Sequence, residues 1–517
     1  MMKSANITAV ALCLGVIPAT VRAQIHLGQG YMVGEVTQTS AILQSRLTAS
    51  TQLVAGDVPG AAGVGRFEVA DNNRFQNPIV TDWMQAAAAN DFILKASISG
   101  LKPDTRYSYR LVYGSSQSET RTGPLGSFRT LQTQQGVRQV SFVVVTGMNY
   151  VSFHHGKLRN GKRDPASGYQ GDDKSQGFPA LETIRKLQPD FFVGTGDNIY
   201  YDSHDDMEAT TLAGMRRKWH EQFRQPRFIQ LFRQVPTYWE KDDHDHRFDD
   251  CDRSGNRPPT SELGIRTFRE QVPIVDPQQP ALPTYRTHRI NRHLQIWLVE
   301  GRDYRSPNSM LDGPGKTLWG REQIAWLKRT LLASDATYKL PISPTPLVGP
   351  DDARKKDNHT NIGGFQHEGR AFFKWIVANK LHQRGFYTVC GDRHWQYHAQ
   401  DPLGVEEFSC GALVDSNSRL GRKPGDPKST DPQAKIRQIY TQKYRSGGFL
   451  RVVITAAAVA RFEFYDEQGK QLYQATKSPT GPFKAAGRAT QPQVLPQPIG
   501  VVEPVAAQRT SGAPGRN

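Results

Sequence analysis

The sequence predicts an all-β sandwich followed by a larger layered α/β domain. Three observations support this fold class. From about Val33 to Thr130, short β-like runs alternate with turn residues. After a polar connector, Gln132 to Gln139, apolar strands alternate with amphipathic helices. The chain has 517 residues, which exceeds the roughly 250 to 300 at which one hydrophobic core stops growing, so at least two domains are expected.

The first predicted domain covers residues 24–132. Its clearest strands begin at Ser40, Phe92 and Tyr107, in the spacing of an antiparallel sandwich. The run from Leu101 to Arg110 resembles the L-x-P-x-T-x-Y-x-Y turn and strand of fibronectin type III domains. That resemblance implies that the Tyr107 hydroxyl bonds back to the backbone at a corner of the sandwich.

The second predicted domain covers residues 138–477. Its α/β alternation indicates a layered fold. Predicted strands are Val140–Thr146, Phe191–Thr195, Leu294–Val299, Leu340–Leu347 and Phe386–Cys390; predicted helices are Pro179–Leu187, Gly320–Leu332 and Glu368–His382; a closing hairpin is predicted from Phe449–Thr455 and Val459–Tyr465. Residues 478–517 are rich in Pro, Gly, Ala and Gln, which predicts a disordered tail.

The first 23 residues are typical of an export signal. Lys3 precedes an apolar stretch from Ile7 to Ala19, and small residues at Val21 and Ala23 predict cleavage before Gln24. The apolar stretch is shorter than the roughly 20 residues that span a bilayer, which argues against a stable membrane anchor. We therefore expect a periplasmic, extracellular or surface-associated protein.

Charge and cysteine content narrow the function classes. Lys and Arg outnumber Asp and Glu by 65 to 49, which favours anionic ligands. No basic block interleaved with aromatic residues indicates a specific nucleic-acid partner. After removal of the export signal three cysteines remain, so at most one disulfide can form, and no CxxC pair indicates a zinc ribbon or a thioredoxin-like site.

Acidic and histidine residues follow three of the predicted strands. Asp197 ends one strand, the run from Asp242 to Asp252 follows a second, and Asp392 and His394 follow a third. Six Asp and two His in eleven residues repel one another unless they are solvated or bind cations. Because ligand sites gather at strand ends in α/β domains, we expect one shared metal site; the alternative is a solvated acidic loop that binds calcium weakly.

Such a site suits the hydrolysis of phosphate esters. Two cations held by carboxylate and imidazole ligands neutralise phosphate oxygens and generate hydroxide from water. A nearby histidine then protonates the leaving oxygen.

The motifs in this order resemble those of the PhoD-like alkaline phosphatases, a branch of the calcineurin-like metallophosphoesterases. The matching segments are Gly196–Tyr200 (GDxxY), Asp242–Asp245 (DDH[DE]), Gly391–His394 (GDxH) and Glu300–Arg305 (D-x-R-x-Y-R). The resemblance implies a metallophosphoesterase fold, a layered αββα sandwich. It also implies metal ligation by Asp197, Tyr200, Asp243, Asp392 and His394, a catalytic His244 that faces the phosphate, and a phosphate clamp of Arg302 and Arg305. A structural salt bridge is an equal alternative for either arginine.

One position departs from that family. Gly147 stands where the family carries a cysteine that binds iron, so the thiolate ligand is missing. Asn149 is a candidate replacement through its amide oxygen, and His154 or His155 are candidates from the next loop. We expect two or more metal ions, calcium and iron first, with manganese or zinc as alternatives, because oxygen ligands favour hard ions.

The leading functional hypothesis is an exported phosphatase that acts on small-molecule phosphomonoesters by direct attack of a metal-bound hydroxide. A phosphodiesterase or phospholipase-D-like enzyme is the first alternative, and a non-catalytic exported binding protein is the second. The polar loop from Lys356 to Asn361 either adds a ligand, holds substrate or is structural. The sequence does not predict the oligomeric state.

Overall fold

The computed structural model describes residues 24–159, 161–203 and 207–479. The predicted export signal, residues 1–23, lies outside the described residues, as does the predicted tail from residue 480 onward. Among the described residues, no helix is both long enough and apolar enough to cross a membrane.

The N-terminal region is almost entirely β-structure. Its strands are β1 (Tyr31–Gly34), β2 (Ala41–Arg46), β3 (Gly63–Ala70), β4 (Ile79–Val80), β5 (Met84–Ala86), β6 (Ile93–Ile98), β7 (Arg106–Gly114), β8 (Thr120–Thr122) and β9 (Gly126–Arg129). The predicted corner contact is confirmed, because the Lys102 amide donates to the Tyr107 hydroxyl at 2.8 Å.

The rest of the chain alternates strands and helices. Its strands are β10 (Val140–Val145), β11 (Lys157–Arg159), β12 (Lys162–Asp164), β13 (Phe191–Thr195), β14 (Thr237–Glu240), β15 (Arg286–Arg289), β16 (Leu294–Leu298), β17 (Tyr338–Ser343), β18 (Thr388–Cys390), β19 (Gln396–Gln400), β20 (Glu406–Cys410), β21 (Arg437–Thr441), β22 (Gly448–Ile454), β23 (Ala460–Asp466) and β24 (Gln471–Lys477). Its helices are α1 (Tyr150–His155), α2 (Pro179–Leu187), α3 (Leu212–Phe223), α4 (Pro226–Phe232), α5 (Ser261–Gln271), α6 (Arg321–Ala333) and α7 (Gln366–Ala378).

Two large sheets organise this region. The first has nine strands in the order β24-β23-β22-β10-β13-β14-β1-β2-β6, and the second has seven in the order β15-β16-β17-β18-β20-β19-β21. A third sheet, β4-β3-β7-β8 with β5 and β9 added, belongs to the N-terminal region, and β11 pairs with β12. Each large sheet contains four adjacent parallel strands, β10, β13, β14 and β1 in the first and β16, β17, β18 and β20 in the second.

The two large sheets bury apolar side chains together. One core cluster combines Phe142 and Val193 of the nine-stranded sheet with Ile296, Leu340 and Phe408 of the seven-stranded sheet. Because strand side chains alternate between faces, the neighbouring residues point to the opposite sides of the two sheets.

Those opposite sides pack on helices. Phe192 and Trp239 share a cluster with Leu181 of α2 and Trp219 of α3. On the seven-stranded sheet, side chains including Trp297 share a cluster with residues of α6 and α7, among them Leu327, Phe372 and Ile376.

The nine-stranded sheet crosses the predicted boundary between the domains. Gly34 of β1 pairs in parallel with Thr237 of β14, and the Glu35 amide donates to the Thr237 carbonyl at 3.3 Å. Strands β1, β2 and β6 therefore extend the sheet that carries β13 and β14, so the N-terminal region is joined to the second domain by backbone pairing.

Most of the predicted elements are present, with shifted ends. The helix Pro179–Leu187 and the strand Phe191–Thr195 have the predicted bounds. The helix predicted to reach His382 ends at Ala378, and the strand predicted from Phe386 begins at Thr388. The predicted closing hairpin is present as β22 and β23, and a further strand, β24, pairs outside β23.

Candidate metal centre

The candidate site lies at the carboxyl ends of the parallel strands of both large sheets. Asp197 follows β13, the Asp242–His246 segment follows β14, and Asp392 and His394 follow β18. The structure brings the first and third of these segments into contact, because His394 Nε2 lies 2.8 Å from Asp197 Oδ2. One site is therefore shared between the two sheets.

Glycine at position 391 permits this close approach of the sheets. A Cβ atom there would lie 2.4 Å from the Thr195 carbonyl oxygen of one sheet and 2.9 Å from the Pro344 carbonyl oxygen beside the other. The next residue, Asp392, has a positive φ of 57°, and Asp197 has one of 52°. Such left-handed residues cost free energy and are typical of functional sites.

Asp197 and Tyr200 form the buried part of the site. The Tyr200 hydroxyl donates to Asp197 Oδ2 at 2.9 Å and lies 3.3 Å from His394 Nε2. Asn417 Nδ2 donates to the same hydroxyl at 2.7 Å. Three of the predicted ligands and one unpredicted amide thus converge on a single point.

The electrostatic surroundings of Asp197 suit a bound cation. Burial raises the pKa of Asp197 to about 8, and the carboxylates of Asp243 and Asp392 act in the same direction, partly offset by His244. Its Oδ1 atom is buried without a hydrogen-bond partner. Donor atoms of Asp197, Asp243 and His244 all lie within 4.8 Å of one another. Crowded carboxylates with an unpaired oxygen fit a bound metal ion, which would return Asp197 to its charged form.

His244 is oriented by a carboxylate that the motifs did not identify. Its Nδ1 lies 2.7 Å from Asp202 Oδ1, and the centre of its ring lies 4.2 Å from that of the Tyr200 ring, with the two planes tilted by 33°. Burial disfavours the protonated imidazole, but the carboxylates of Asp202, Asp243 and Asp197 outweigh it and raise the pKa of His244 well above its ordinary value. The side chain remains 16% exposed, so it is accessible to a ligand.

Asp243 faces two groups of partners. Its Oδ1 accepts from the His244 amide at 2.9 Å and its Oδ2 from the Asp250 amide at 2.6 Å. A second trio of donor atoms comes from Asp243, Asp249 and Asp250. The Lys355 ammonium already pairs with Asp250, so a side-chain cation occupies this second cluster.

Other residues of the acidic run are structural. Asp245 accepts from the Asp242 amide at 2.6 Å and from both nitrogens of Asn198. The His246 ring bonds to the Ser261 hydroxyl at 3.1 Å, away from Asp197. The run is therefore largely buried and folded, which argues against the alternative of a solvated acidic loop.

The two arginines of the predicted phosphate clamp are already bound to protein groups. Arg302 is fully buried, and its Nε donates to Asp242 Oδ1 at 2.7 Å and its Nη1 to the Cys251 carbonyl at 2.7 Å. Arg305 donates to the Asp357 carbonyl at 2.5 Å. The contacts of Arg302 favour the structural salt bridge, and Arg305 is held by backbone carbonyls without an ion pair among the described residues.

The polar loop from Lys356 to Asn361 also serves the structure. Asp357 Oδ2 accepts from Arg302 at 3.3 Å, and Asn358 and Asn361 both donate to Asp351 Oδ2 at 2.8 Å. Asp351 in turn pairs with Arg393, which also contacts Asp392. The loop therefore helps to fix the candidate ligand Asp392 through Asp351 and Arg393.

The structure gives none of the candidate replacements for the missing cysteine a role in the cluster. Asn149 caps helix α1, where its Oδ1 accepts from the Ser152 amide at 2.8 Å. The His154 ring faces Gln225 Oε1 at 3.3 Å, and His155 is exposed at the end of α1. Instead, Asn417 reaches the Gly147 carbonyl at 3.2 Å as well as Tyr200, and no local motif predicted that residue.

Gly147 itself has no room for a side chain. Its φ is 66°, and a Cβ atom there would lie 2.8 Å from Ala412 Cβ. The cysteines of the second domain do not replace the thiolate, since Cys251, Cys390 and Cys410 are all buried and form no disulfide within the described chain. Burial raises the pKa of Cys251 to about 12, which keeps it a thiol.

Known proteins resemble this chain in both sequence and fold. Alkaline phosphatase D from Bacillus subtilis (strain 168) is 22% identical over 336 residues, a match that covers 60% of this chain and 54% of the relative. The match thus spans about half the length of that relative.

Two solved structures share the fold. A structure of PhoD superposes with a TM-score of 0.67 at 18% identity, covering 87% of this chain and 89% of that one. A purple acid phosphatase from yellow lupin seeds (Lupinus luteus) gives a TM-score of 0.56 at 12% identity, covering 87% of this chain and 74% of that one.

Family models match both regions of the chain. The PhoD-like phosphatase N-terminal domain matches residues 15–132, and the PhoD-like phosphatase model matches residues 164–461, more than half of the sequence. The second match contains Asp197, His244 and His394, the residues around which the two sheets meet. The chain therefore belongs to the PhoD-like phosphatase family.

Proposed function

We propose that this protein is an exported, metal-dependent phosphoesterase that hydrolyses small-molecule phosphomonoesters. The main support is the cluster of Asp197, Asp243 and His244, whose donor atoms lie within 4.8 Å of one another. Asp197 Oδ1 is buried there without a hydrogen-bond partner. Family membership and the relationship to an alkaline phosphatase support the same reaction class.

The proposal assigns the cation ligands to Asp197, Tyr200, Asp243, Asp392 and His394. Cations at such a site neutralise phosphate oxygens and lower the pKa of water. The donors are carboxylate, phenol and imidazole groups, and Gly147 supplies no thiolate, so hard ions such as calcium, iron or manganese suit the site better than soft ones. Zinc also accepts such ligands, and metal analysis of the purified protein would distinguish it from the harder ions.

His244 is the proposed proton donor. Asp202 holds Nδ1, and Nε2, which lies 3.8 Å from an oxygen of the exposed Asp249, is the ring atom proposed to face the substrate. Burial opposes the charged ring, but the carboxylates of Asp202, Asp243 and Asp197 raise the pKa of His244, which suits transfer of a proton to the leaving oxygen. Arg302 and Arg305 act in this proposal by fixing the Asp242 segment, because their donors are bound to protein atoms.

We also propose that the second domain is a layered αββα sandwich and that the N-terminal region is a fibronectin type III-like sandwich. The apolar cluster between the two large sheets and the helix clusters on their outer sides support an αββα sandwich. The corner contact of Tyr107 supports a fibronectin type III-like sandwich, although one of its sheets continues into the second domain. Export rests on the sequence of residues 1–23.

The test is hydrolysis of p-nitrophenyl phosphate by purified protein after removal and stepwise return of each metal. Asp197→Asn and His244→Ala should each lower kcat by at least about 100-fold, the size expected for a ligand or a general acid. Asp82→Asn, at an exposed carboxylate of the N-terminal region, is the matched control. Full activity in both site variants would refute the proposal.

Two further outcomes separate the alternatives. Faster hydrolysis of bis-p-nitrophenyl phosphate than of the monoester would favour a phosphodiesterase. Absence of stoichiometric metal together with absence of activity would favour a non-catalytic binding protein.

A further inference from the structure

One loop contacts the candidate metal centre and carries an arginine, Arg419, that has no acidic partner among the described residues. The loop begins with the short 3-10 helix Asp415–Asn417, whose last residue contacts the Tyr200 hydroxyl at 2.7 Å. Two residues later, the Arg419 amide donates to the His394 carbonyl at 2.9 Å. Arg419 is therefore fixed by its backbone directly beside a candidate metal ligand.

The Arg419 side chain is exposed and has no acidic partner. Its guanidinium lies 5.4 Å from the centre of the Trp395 ring, an arrangement that holds the cation by a cation–π contact. Within the part of the chain that the structure describes, Arg419 forms no ion pair.

A second basic segment lies against this loop. Gln442 Nε2 donates to the Arg419 carbonyl at 3.5 Å and to the Tyr444 carbonyl at 3.1 Å. Lys443 and Arg445 flank Tyr444, which is 81% exposed, and both are exposed too. Neither cation forms an ion pair among the described residues. We call Arg419, Lys443 and Arg445 the basic rim.

The half-buried Arg422, three residues after Arg419, pairs with Asp352 at 2.9 Å. The three cations of the basic rim have no such partner among the described residues, although Arg419 lies beside a site whose ligands are mainly carboxylates. Since a single scissile phosphate would be neutralised by the metal centre, the additional cations have charge available for another anionic group. Arginine suits this role because its planar fork bonds two phosphate oxygens at once.

We propose that the basic rim binds a second phosphate group of the substrate, so that the preferred substrates are small phosphate esters carrying one phosphate beyond the scissile one. This inference rests on the proposed function, since it specifies the substrate class of the same site. Tyr444 offers an exposed surface for the organic part between the two phosphates.

The test compares hexose 1,6-bisphosphate with hexose 6-phosphate as substrates of the metal-loaded protein. A single exposed ion pair contributes little, and a bidentate arginine contributes more. Arg419→Ala should therefore lower kcat/KM for the bisphosphate by about 10-fold more than for the monophosphate, chiefly through KM. Lys443→Ala combined with Arg445→Ala should act in the same direction, and added salt should shrink the wild-type preference.

The controls separate the possible failures. Arg74→Ala removes an exposed arginine of the N-terminal region and should leave both rates unchanged. Arg419→Lys should restore part of the preference, because it keeps the charge but not the fork. Equal losses for both substrates would show that Arg419 acts on the scissile phosphate and would overturn the inference alone. A wild-type protein that hydrolyses p-nitrophenyl phosphate but does not prefer the bisphosphate would overturn the inference alone. One that hydrolyses no phosphate ester would overturn the proposed function and, with it, the inference.

Discussion

Asp202 Oδ1 lies 2.7 Å from His244 Nδ1, which makes the orientation of the proposed proton donor depend on a residue 42 positions away in sequence. Asp202 also accepts the Asp249 amide at 2.7 Å through its other oxygen, so its own position is fixed. A histidine held in this way presents one ring nitrogen in a constant direction, which is the arrangement that proton transfer requires.

Asp202→Asn should therefore impair catalysis without unfolding the protein. The amide keeps the size of the side chain but removes the negative charge that stabilises the protonated imidazole. We expect kcat to fall by about 10- to 100-fold, as for other residues that orient a site from behind, while KM changes little. The measurement is steady-state hydrolysis of p-nitrophenyl phosphate at saturating metal.

Metal content and thermal unfolding distinguish this role from a structural one. Both should be unchanged in Asp202→Asn, whereas Asp197→Asn should also reduce bound metal. A large fall in metal content in Asp202→Asn would show that Asp202 belongs to the ligand set instead.

Gly147→Cys should not create the thiolate ligand that the family motif has at this position. The φ of 66° is strained for any side chain, and the new Cβ would lie 2.8 Å from Ala412 Cβ. We expect a loss of about 2 to 4 kcal/mol in unfolding free energy, from backbone strain and overpacking together. Urea unfolding of the metal-free protein measures this loss.

Gly100→Ala is the control for strain alone. Gly100 has a similar φ of 76°, and a Cβ atom there has no neighbour within 4 Å. It should cost only the strain, about 1 to 2 kcal/mol. If Gly147→Cys proved as stable as Gly100→Ala and gained bound iron, the close contact with Ala412 would not prevent a thiolate ligand at this position.

The strands and the ligand-bearing segments could be predicted because their information is local. Phe191–Thr195 is a continuous apolar run and Pro179 fixes a helix start, so both elements have the predicted bounds. Asn417 could not be predicted, because its contact with Tyr200 spans 217 residues and follows from how the two sheets meet. The role of Arg302 also depended on tertiary partners, since the same motif suits a phosphate clamp or a buried ion pair.

Arg302→Met tests these two roles. The side chain is fully buried with Asp242 and Asp357, so its removal should deprive both carboxylates of this partner. Breaking a buried ion pair from one side costs about 3 to 5 kcal/mol, and thermal or urea unfolding should show it. Arg292→Met, at an exposed arginine, should change the unfolding free energy little. Unchanged stability with a raised KM would instead indicate a phosphate clamp.

The joint between the N-terminal region and the second domain should weaken in acid through Glu35. Its carboxylate accepts two bonds from Arg286, at 2.8 and 2.6 Å, and lies 3.1 Å from His288 Nε2. Burial opposes the charged form, but Arg286 and His288 outweigh it and lower the pKa of Glu35 from 4.5 to about 2. A carboxylate whose pKa is lower in the folded state stabilises the fold above its unfolded pKa and loses that contribution as the pH falls through the folded pKa.

Wild type should consequently be more stable than Glu35→Gln by about 3 kcal/mol near pH 6, and this difference should decline between pH 4.5 and 2. The decline reflects protonation of Glu35, first in the unfolded chain and then in the folded one. Urea unfolding of both proteins at several pH values measures the difference, and Glu322→Gln, at an exposed glutamate of α6, controls for the loss of one carboxylate. A difference that stays constant as the pH falls would mean that the Arg286 contact stabilises the joint through hydrogen bonding that the glutamine side chain reproduces only in part, independent of charge.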